Sequence, residues 1–269
     1  MLYKLKSLSN EIFRVVLSRP RYVCNQLLKN PFWPAKRVSV LWKVKAAECN
    51  QVELVHDLTG VSSDNILATY AQLKNNKPLY QHLNRCFEAY DEEHKRTTGV
   101  GIEKGEMLYL IVKLLAPDIV VETGVAAGES STFILQALED NKKGRLYSID
   151  LPSSGPALAD GSTYSQPKGK QNGWIVPDML RHRWHLTLGD SRSELPPLLK
   201  ELGQIDCFLH DSLHTRDHML WEYQTAWPFI KEGGVLLSDD CEANEAFIEF
   251  CSAVKRPFQH YCTIGSIRK

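Results

Sequence analysis

Apolar runs and amphipathic segments alternate along the chain from about residue 100 onward. The segment "MLYLIVKLLAP" (107–117) predicts a buried helix that Pro117 ends, and "DIVVETG" predicts a short β-branched strand that leads into a glycine. The elements predicted after them are, in order, the helix "SSTFILQALEDN", the strand "RLYSIDLP", a long loop, the strand "WHLTLGD", the helix "SELPPLLKEL", the strand "IDCFLHD", the helix "HMLWEYQTAWPFI" and the strand "GGVLLSDD". Strands that alternate with helices of this length predict an α/β fold with a mostly parallel sheet covered on both faces.

The first 95 residues show helical patterns only. The segment "SSDNILATYAQLKNN" predicts a helix that Ser62 or Ser63 caps. Its apolar positions recur at helical spacing and are Ile66, Leu67, Tyr70 and Leu73. Prolines 20, 31 and 34 divide the preceding segment into short helices. We therefore predict an N-terminal helical region over residues 1–95 and an α/β domain over residues 96–269.

Carboxylates follow the ends of the predicted strands. Asp150 ends the second strand, Asp190 follows the third, Asp211 ends the fourth, and Asp239 with Asp240 ends the fifth. Ligands of parallel sheets bind beyond the carboxyl ends of the strands. We therefore expect these acids to face one crevice.

The segment "VVETGVAAGESS" (120–131), which leaves the first strand, indicates the kind of ligand. Gly124 and Gly128 allow the backbone to pass close to a bound molecule, whereas the negative charge of Glu122 disfavours a pyrophosphate. A dinucleotide fold requires G-x-G-x-x-G at this place, and the chain has only G-x-x-x-G. Asp150 is suited to accept hydrogen bonds from ribose hydroxyls, and Asp190 from an adenine amino group.

Composition and cysteine content indicate the setting. The chain has 269 residues and a net charge of zero, which is typical of a soluble globular protein and indicates neither a nucleic acid nor a membrane as partner. Because no apolar stretch reaches the roughly 20 residues of a membrane span and no secretory signal is visible, we expect a cytoplasmic protein. The seven cysteines form no C-x-x-C pair, so we expect neither disulfides nor a zinc site.

Although the net charge of the chain is zero, its N-terminal segment is basic. Residues 1–45 hold ten lysines and arginines and one acid, Glu11, which gives this segment a net charge of +9. Aromatic residues lie between these charges. A solvated basic face is the favoured interpretation, and a patch for a membrane surface or another anionic partner is the alternative.

The segments "VVETGVAAGESS", "LYSIDLP", "RWHLTLGDSRSELPPLL", "IDCFLHDSLHT" and "GGVLLSDD" together resemble the class I S-adenosylmethionine-dependent methyltransferases. Within that class they are similar to the metal-dependent O-methyltransferases of small molecules and sugars, of the macrolide-modifying type. The resemblance covers roughly residues 100–250. It implies a doubly wound, mostly parallel, seven-stranded sheet of the Rossmann-like methyltransferase fold, with the N-terminal helices as an extension.

The resemblance also implies a role for individual residues. S-adenosylmethionine would be held at its methionine end by the glycine loop, at its ribose by Asp150, and at its adenine by Gly189 and Asp190. The implied contacts in the glycine loop are Glu122, Thr123, Gly124, Gly128 and Ser130.

A metal site and a general base are implied beside the cofactor. Asp211, Asp239 and Asp240 stand where the family binds one Mg²⁺ or another divalent cation, and His214 stands where the sugar-modifying relatives have their base. The chemistry favours this assignment independently, because a cation on carboxylates lowers the pKa of an acceptor hydroxyl and an imidazole can then take its proton. Without a cation, three close carboxylates would repel one another.

Other interpretations of single residues stay open. Asp239 or Asp240 could cap the helix around "EANEAFIEF", and His214 could have a local role at a helix start. Strand alternation points His210 away from Asp211, toward the core or a supporting position, and we expect His218 at the surface. The long loop after the second strand is either a connector or a lid, with Trp174 as a candidate wall, and we favour the lid.

The predicted function is methyl transfer to a hydroxyl of a small-molecule acceptor. A metal-independent methyltransferase, a nucleotide-cofactor oxidoreductase and a catalytically inactive binding protein of the same fold are the alternatives. The N-terminal helices could cover the crevice or form a homo-oligomer interface.

Overall fold

The computed structural model describes residues 33–93, 101–152 and 169–269 of the chain. The predictions that concern Pro20, Pro31, most of the basic N-terminal segment and the middle of the long loop lie outside the described residues.

The described residues contain a seven-stranded sheet with the strand order β3-β2-β1-β4-β5-β7-β6. The strands are β1 (Ile119–Thr123), β2 (Arg145–Asp150), β3 (Trp184–Leu188), β4 (Ile205–His210), β5 (Ile230–Ser238), β6 (Gln259–Tyr261) and β7 (Ile264–Arg268). Strands β1 to β5 are parallel, and β7 runs antiparallel to both β5 and β6. The predicted fold class, a doubly wound and mostly parallel seven-stranded sheet with N-terminal helices, is confirmed.

Helices cover both faces of this sheet. They are α1 (Trp33–Ala46), α2 (Gln51–Thr59), α3 (Ser63–Lys74), α4 (Lys77–Glu93), α5 (Gly101–Leu115), α6 (Glu129–Asn141), α7 (Ser191–Leu202), α8 (Arg216–Ala226) and α9 (Ala246–Ala253), with 3₁₀ turns at Asp178–Arg183 and Trp227–Phe229. Helix α7 begins two residues before the predicted start, because Asp190 caps it by accepting a hydrogen bond of 2.9 Å from the Arg192 amide.

The core lies in two layers, one on each face of the sheet. Successive strand side chains point to opposite faces, so Val120 packs with helices α2 to α6 whereas Val121 packs with α1, α7, α8 and α9. Helix α3 contributes Ile66 and Leu73 to the first layer, but Leu67, which the periodicity placed on the same face, is 52% exposed. The N-terminal helices therefore help to close both layers.

A buried carboxylate fastens the N-terminal helices to the sheet domain. Glu106 in α5 is 2% exposed and accepts hydrogen bonds from the Tyr70 and Tyr80 hydroxyls, each at 2.7 Å. The Lys74 ammonium lies 2.5 Å from the same carboxylate and balances its charge. The predicted boundary near residue 95 stays a prediction, since these contacts cross it.

Two findings bear on the predictions about disulfides and membrane spans. The six cysteines in the described ranges, among them Cys49 and Cys86, are all free thiols. In those ranges, no helix combines the length and apolar character that a membrane crossing requires.

Candidate active site

The glycine loop between β1 and α6 is tightly enclosed by other parts of the chain. Gly124 has φ +85°, and a Cβ at this position would lie 2.0 Å from the Asp211 carbonyl oxygen. Gly128 has φ +101°, and its Cβ would lie 2.8 Å from Val176 and 2.9 Å from the Cα of Gly173. Both positions require glycine because chain segments pass close by, in addition to any approach of a bound molecule.

Glu122 lies behind the loop, not at its surface. Its carboxylate is fully buried and accepts hydrogen bonds from Ser130 (2.5 Å), Ser131 (2.6 Å) and Ser148 (2.8 Å). Burial raises the pKa of Glu122, and the three hydroxyls oppose this shift. Both side chains join β1, α6 and β2, and their predicted contacts with the cofactor stay predictions.

Thr123 has a similar structural role on the other face of β1. Its hydroxyl donates a 2.6 Å hydrogen bond to Glu222 in α8, and its carbonyl accepts one of 2.8 Å from the Asp211 amide. The side chain is completely buried. Thr123 thus fixes the end of β4, and its predicted contact with the cofactor stays a prediction.

Asp150 faces the crevice at the end of β2. One carboxylate oxygen accepts from the Ala126 amide at 3.0 Å and from the Asn172 side chain, and the other accepts from the Leu151 amide at 3.0 Å. Burial raises the pKa of Asp150, while the Asn172 hydrogen bond opposes the shift. Asn172, which the sequence analysis did not single out, ties the end of the long loop to this acid.

Gly189 and Asp190 lie next to Asp150 at the end of β3. The Gly189 amide donates a 2.8 Å hydrogen bond to the Asp150 carbonyl, so the two strand ends are held together. Asp190 is exposed. One of its carboxylate oxygens caps α7, and the other takes no part in the cap. Their predicted contacts with adenine stay predictions.

The ends of β4 and β5 bring a second cluster to the same edge of the sheet. Possible ligand atoms of Asp211, His214 and Asp239 all lie within 4.8 Å of one another. His214 Nε2 is 3.8 Å from Asp211 Oδ1, and both side chains are about one-fifth exposed, at 20% and 21%. The cluster adjoins the glycine loop through the contact between Asp211 and Gly124.

Asp240 does not join this cluster. The three-residue group in this part of the structure contains His214 in its place. Asp240 has φ +45°, a left-handed backbone conformation that turns the chain immediately after Asp239. The prediction of Asp240 as a third carboxylate ligand therefore stays a prediction, and the group that the described residues bring together holds Asp211, Asp239 and His214.

A lysine that the sequence analysis missed lies against Asp239. Lys104 at the start of α5 contacts both Asp239 oxygens, at 2.8 and 3.1 Å, and the Thr263 hydroxyl donates to one of them at 2.6 Å. Burial alone would lower the pKa of Lys104, but Asp239 raises it, so the ammonium stays charged. Only the fold could reveal this pair, because the two residues are far apart in the chain.

The two acids of the cluster differ in electrostatic environment. Burial and the charge of Asp239 raise the pKa of Asp211 well above its ordinary value. Burial also acts on Asp239, but Lys104 and the Thr263 hydroxyl outweigh it and lower the pKa of that carboxyl. The pKa values of the two acids are thus shifted in opposite directions.

Beneath the cluster lies a buried network centred on Glu222. Its carboxylate is fully buried and contacts His210 Nδ1 at 2.6 Å and His218 Nε2 at 2.9 Å. Burial alone would raise the pKa of Glu222, but the two imidazoles lower it well below its ordinary value. The prediction that His210 supports the site from the core agrees with this position. The prediction of a surface position for His218 is wrong, since the side chain is 6% exposed.

The end of the long loop packs as part of the domain. Ile175 and Val176 are buried in the first core layer, and Trp174 packs against that layer with the Lys170 ammonium 4.8 Å from its ring centre. The Gly173 amide donates to the Ala126 carbonyl at 2.9 Å. The prediction of a lid otherwise concerns loop residues outside the described ranges and stays a prediction.

A surface cavity of about 460 Å³ lies elsewhere, where α3, α5 and α6 meet. It includes Tyr109, Lys113 and Asp140 and none of the predicted site residues. Asp140 is at the C-terminal end of α6, opposite the glycine loop. The chemistry of the strand ends therefore points to the crevice and not to this cavity.

Comparison with known proteins agrees with the fold and with a methyltransferase domain. Residues 121–241, somewhat less than half of the chain, match the family described as "Methyltransferase domain". The fold is similar to that of an O-methyltransferase from Bacillus cereus in complex with SAH, with 14% identity, a TM-score of 0.51 and coverage of 70% of this chain and 91% of that one. It is also similar to the cofactor-bound Rv0187 from MTB, with 13% identity, a TM-score of 0.52 and coverage of 70% and 89%. No curated protein matches the chain significantly.

At these identities the structural similarity establishes the fold, and the family match adds the activity. The matched segment begins in β1 and ends just after Asp240, so it contains the glycine loop, Asp150 and the Asp211 cluster. The matched segment is a methyltransferase domain, and the predicted activity, that of an S-adenosylmethionine-dependent methyltransferase, is confirmed.

Proposed function

We propose that this methyltransferase transfers a methyl group to a hydroxyl oxygen of a small-molecule acceptor, such as a sugar or a secondary metabolite. The observation that carries the proposal is the cluster of Asp211, His214 and Asp239 beside the glycine loop. An acid pair with an adjacent imidazole is suited to deprotonate an alcohol, which is a poor nucleophile at neutral pH.

His214 is the proposed general base. S-adenosylmethionine supplies a methyl group on a sulfonium, so the acceptor oxygen must lose its proton as the carbon–oxygen bond forms and the carbon–sulfur bond breaks. The His214 imidazole takes that proton, and Asp211, whose Oδ1 lies 3.8 Å from Nε2, stabilises the imidazolium that results. The proton then passes to solvent through the exposed edge of the imidazole.

Asp211 and Asp239 would hold a divalent cation, with Mg²⁺ as the first candidate. Their carboxylate oxygens are the ligands that hard cations prefer, and the raised pKa of Asp211 is what a site that awaits a positive charge would have. A cation bound there would orient the acceptor hydroxyl and lower its pKa. In this arrangement the His214 imidazole takes the proton and is not a ligand of the cation.

Lys104 favours a second candidate, a metal-independent mechanism. Its ammonium already contacts both oxygens of Asp239 and supplies a positive charge at the place where the cation would act. In this alternative Lys104 replaces the metal, while His214 and the cofactor have the same roles.

The first experiment tests the reaction class. The purified protein is titrated separately with S-adenosylmethionine and NAD(P), and is then incubated with methyl-labelled S-adenosylmethionine and a panel of sugars, phenols and hydroxylated metabolites. We expect binding of S-adenosylmethionine only, and a labelled methyl ether from at least one acceptor. Labelled products confined to amines or carboxylates would overturn the assignment of a hydroxyl acceptor.

The second experiment separates the two mechanisms with the acceptor so found. If a divalent cation is required, chelator abolishes turnover and Mg²⁺ restores it, in the wild type and in Lys104→Met. If Lys104 provides the charge, turnover continues at the full rate in chelator, and Lys104→Met loses it. The conservative variant Lys104→Arg should retain activity in the second case.

A further inference from the structure

A second group of metal-ligating side chains lies beyond Asp240. Cys241, Glu242 and His260 place ligand atoms within 4.8 Å of one another, and Cys241 and His260 are buried. Cys241 and Glu242 follow β5, and His260 is in β6. None of these three residues has a role in the proposed methyl transfer.

His260 supplies the independent sign that a ligand belongs here. The side chain is 3% exposed, yet neither ring nitrogen has a hydrogen-bond partner among the described residues. A buried polar atom without a partner costs about 1–3 kcal/mol, which a bound ion would offset. Burial lowers the pKa of His260 to about 4, against smaller opposing effects from Glu48 and the Cys262 backbone. The imidazole is therefore neutral at physiological pH, as a metal ligand must be.

We propose that Cys241, Glu242 and His260 bind one zinc-class divalent cation, at a site separate from the Asp211–Asp239 pair. A thiolate, an imidazole and a carboxylate are the donors that Zn²⁺ accepts, whereas Mg²⁺ prefers oxygens alone. On binding, the Cys241 thiol releases its proton to solvent, and the charges of thiolate, carboxylate and ion sum to zero. A neutral complex is the form that a buried site can hold.

The distances fit a tetrahedral ion after small adjustments. Cys241 Sγ is 3.7 Å from Glu242 Oε2, and His260 Nε2 is 4.0 Å from the same oxygen. Ordinary zinc bond lengths give tetrahedral edges of about 3.6 Å between sulfur and oxygen and about 3.4 Å between nitrogen and oxygen. Glu242 is 24% exposed, so water can reach the fourth position.

Backbone hydrogen bonds hold two of the three ligands in place. The Cys241 amide donates to the Thr263 carbonyl at 3.0 Å. The His260 amide donates to the Ala47 carbonyl at 3.1 Å, and its carbonyl accepts from the Cys49 amide at 3.0 Å. An ion here would connect the segment after β5, which begins with Asp239, to β6 and to the segment between α1 and α2. The role of the ion is therefore structural.

The proposal departs from the expectation of no zinc site, which rested on the missing C-x-x-C spacing. Here the ligands come from a loop and a separate strand that only the fold brings together. Spacing along the sequence could not reveal such a set.

The test uses Co²⁺ as a spectroscopic probe of the full chain after chelator treatment and removal of the chelator. We expect one equivalent of Co²⁺ to give sulfur-to-cobalt charge-transfer absorption, to be displaced by Zn²⁺, and to be unaffected by excess Mg²⁺. Zn²⁺ should also raise the melting temperature. A wild-type protein that shows no such absorption overturns the proposal, whatever the behaviour of the variants.

Variants identify the ligands. Cys241→Ser should abolish the absorption, and His260→Gln should weaken Co²⁺ binding by about 100-fold or more. Cys49→Ser is the matched control, since this thiol lies 3.6 Å from the His260 carbonyl and should not matter. Asp211→Asn should also keep the absorption, so failure of the proposed catalytic site is distinguishable from failure of this one. Absorption that persists in Cys241→Ser or disappears in Cys49→Ser would contradict the ligand assignment.

Discussion

The roles of Asp211 and His214 can be separated by two substitutions. His214→Ala should lower the turnover by about 10²- to 10⁴-fold if the imidazole is the general base, with S-adenosylhomocysteine affinity unchanged. Asp211→Asn keeps the shape and removes a charge, so it should weaken metal binding while cofactor affinity stays nearly intact. Calorimetry with S-adenosylhomocysteine and with Mg²⁺, together with single-turnover rates, measures the three quantities independently.

His56→Ala provides a control for the loss of an imidazole, because His56 is exposed on α2 and should leave turnover unchanged. Full activity of His214→Ala would rule out the base assignment. Full activity of Asp211→Asn at low Mg²⁺ would leave the acid cluster without a catalytic role.

Loss of the Glu222 carboxylate should destabilise the protein. A buried carboxylate between two imidazoles leaves unsatisfied groups when it is changed, so Glu222→Gln should lower the free energy of unfolding by about 2–4 kcal/mol at pH 7. Glu201→Gln, an exposed change on α7, should stay within about 0.5 kcal/mol of the wild type. Urea denaturation measures both.

The pH dependence of this loss has a definite sign. The folded protein holds the pKa of Glu222 below the ordinary value of 4.5. Its contribution is therefore fully present above pH 4.5 and is lost as the pH falls through the lower folded value. The difference between wild type and Glu222→Gln should shrink in that acid range, and a difference that widens there would contradict the assignment.

At the scale of the elements, the glycine loop and the end of β4 form one unit. The Gly124 site is closed by the Asp211 carbonyl, so a side chain at 124 must displace the end of β4 as well as any bound cofactor. Gly124→Ala should therefore lower the free energy of unfolding by about 1–3 kcal/mol more than backbone strain alone would. It should also weaken S-adenosylhomocysteine binding.

Gly60→Ala is the matched control for backbone strain. Gly60 has φ +75° at the end of α2, close to the +85° of Gly124, and a Cβ there would meet nothing within 4 Å. Gly60→Ala should lower the free energy of unfolding only by the cost of an alanine in the left-handed backbone conformation, about 1–2 kcal/mol. Its cofactor binding should be unchanged. Equal stability of the two variants in urea would show that the contact with Asp211 is unimportant.

At the scale of the whole molecule, the proposed function does not account for the uneven distribution of charge. The +9 segment over residues 1–45 is balanced by the rest of the chain. We expect no association with liposomes of acidic lipids at physiological salt, because a solvated basic face binds no specific surface. Binding that appears at low salt and persists at about 0.15 M, where charges are screened beyond about 8 Å, would support a membrane-surface role instead. Neutral liposomes are the control.

The sequence predicted most of the sheet domain because local pattern and chemistry agree there. Strands β1 to β5, the helices between them and the acids at their ends follow from apolar runs, glycines and motif order. The seven-strand total came from the family resemblance. Strands β6 and β7 are short and lack a clear pattern, since their burial depends on pairing with β5.

The structure shows what the side chains of the first strand's end contact within the protein, which the motif alone does not. The alternation of a strand puts Glu122 and Thr123 on opposite faces, and each face is covered by helices, so both side chains are used inside the protein. A motif identifies where a ligand binds, but it does not tell which of its residues point toward the crevice.

The sequence by itself determined the class of the protein, the doubly wound sheet and the edge at which the chemistry lies, because strand ends in a parallel sheet meet in one place. Only the tertiary structure decided the partners: Lys104 beside Asp239, His214 in place of Asp240, Glu222 beneath both, and Cys241 with His260. These pairs join residues from separate elements. The energies of these interactions depend on distances and on burial. Neither can be read from the order of residues along the chain.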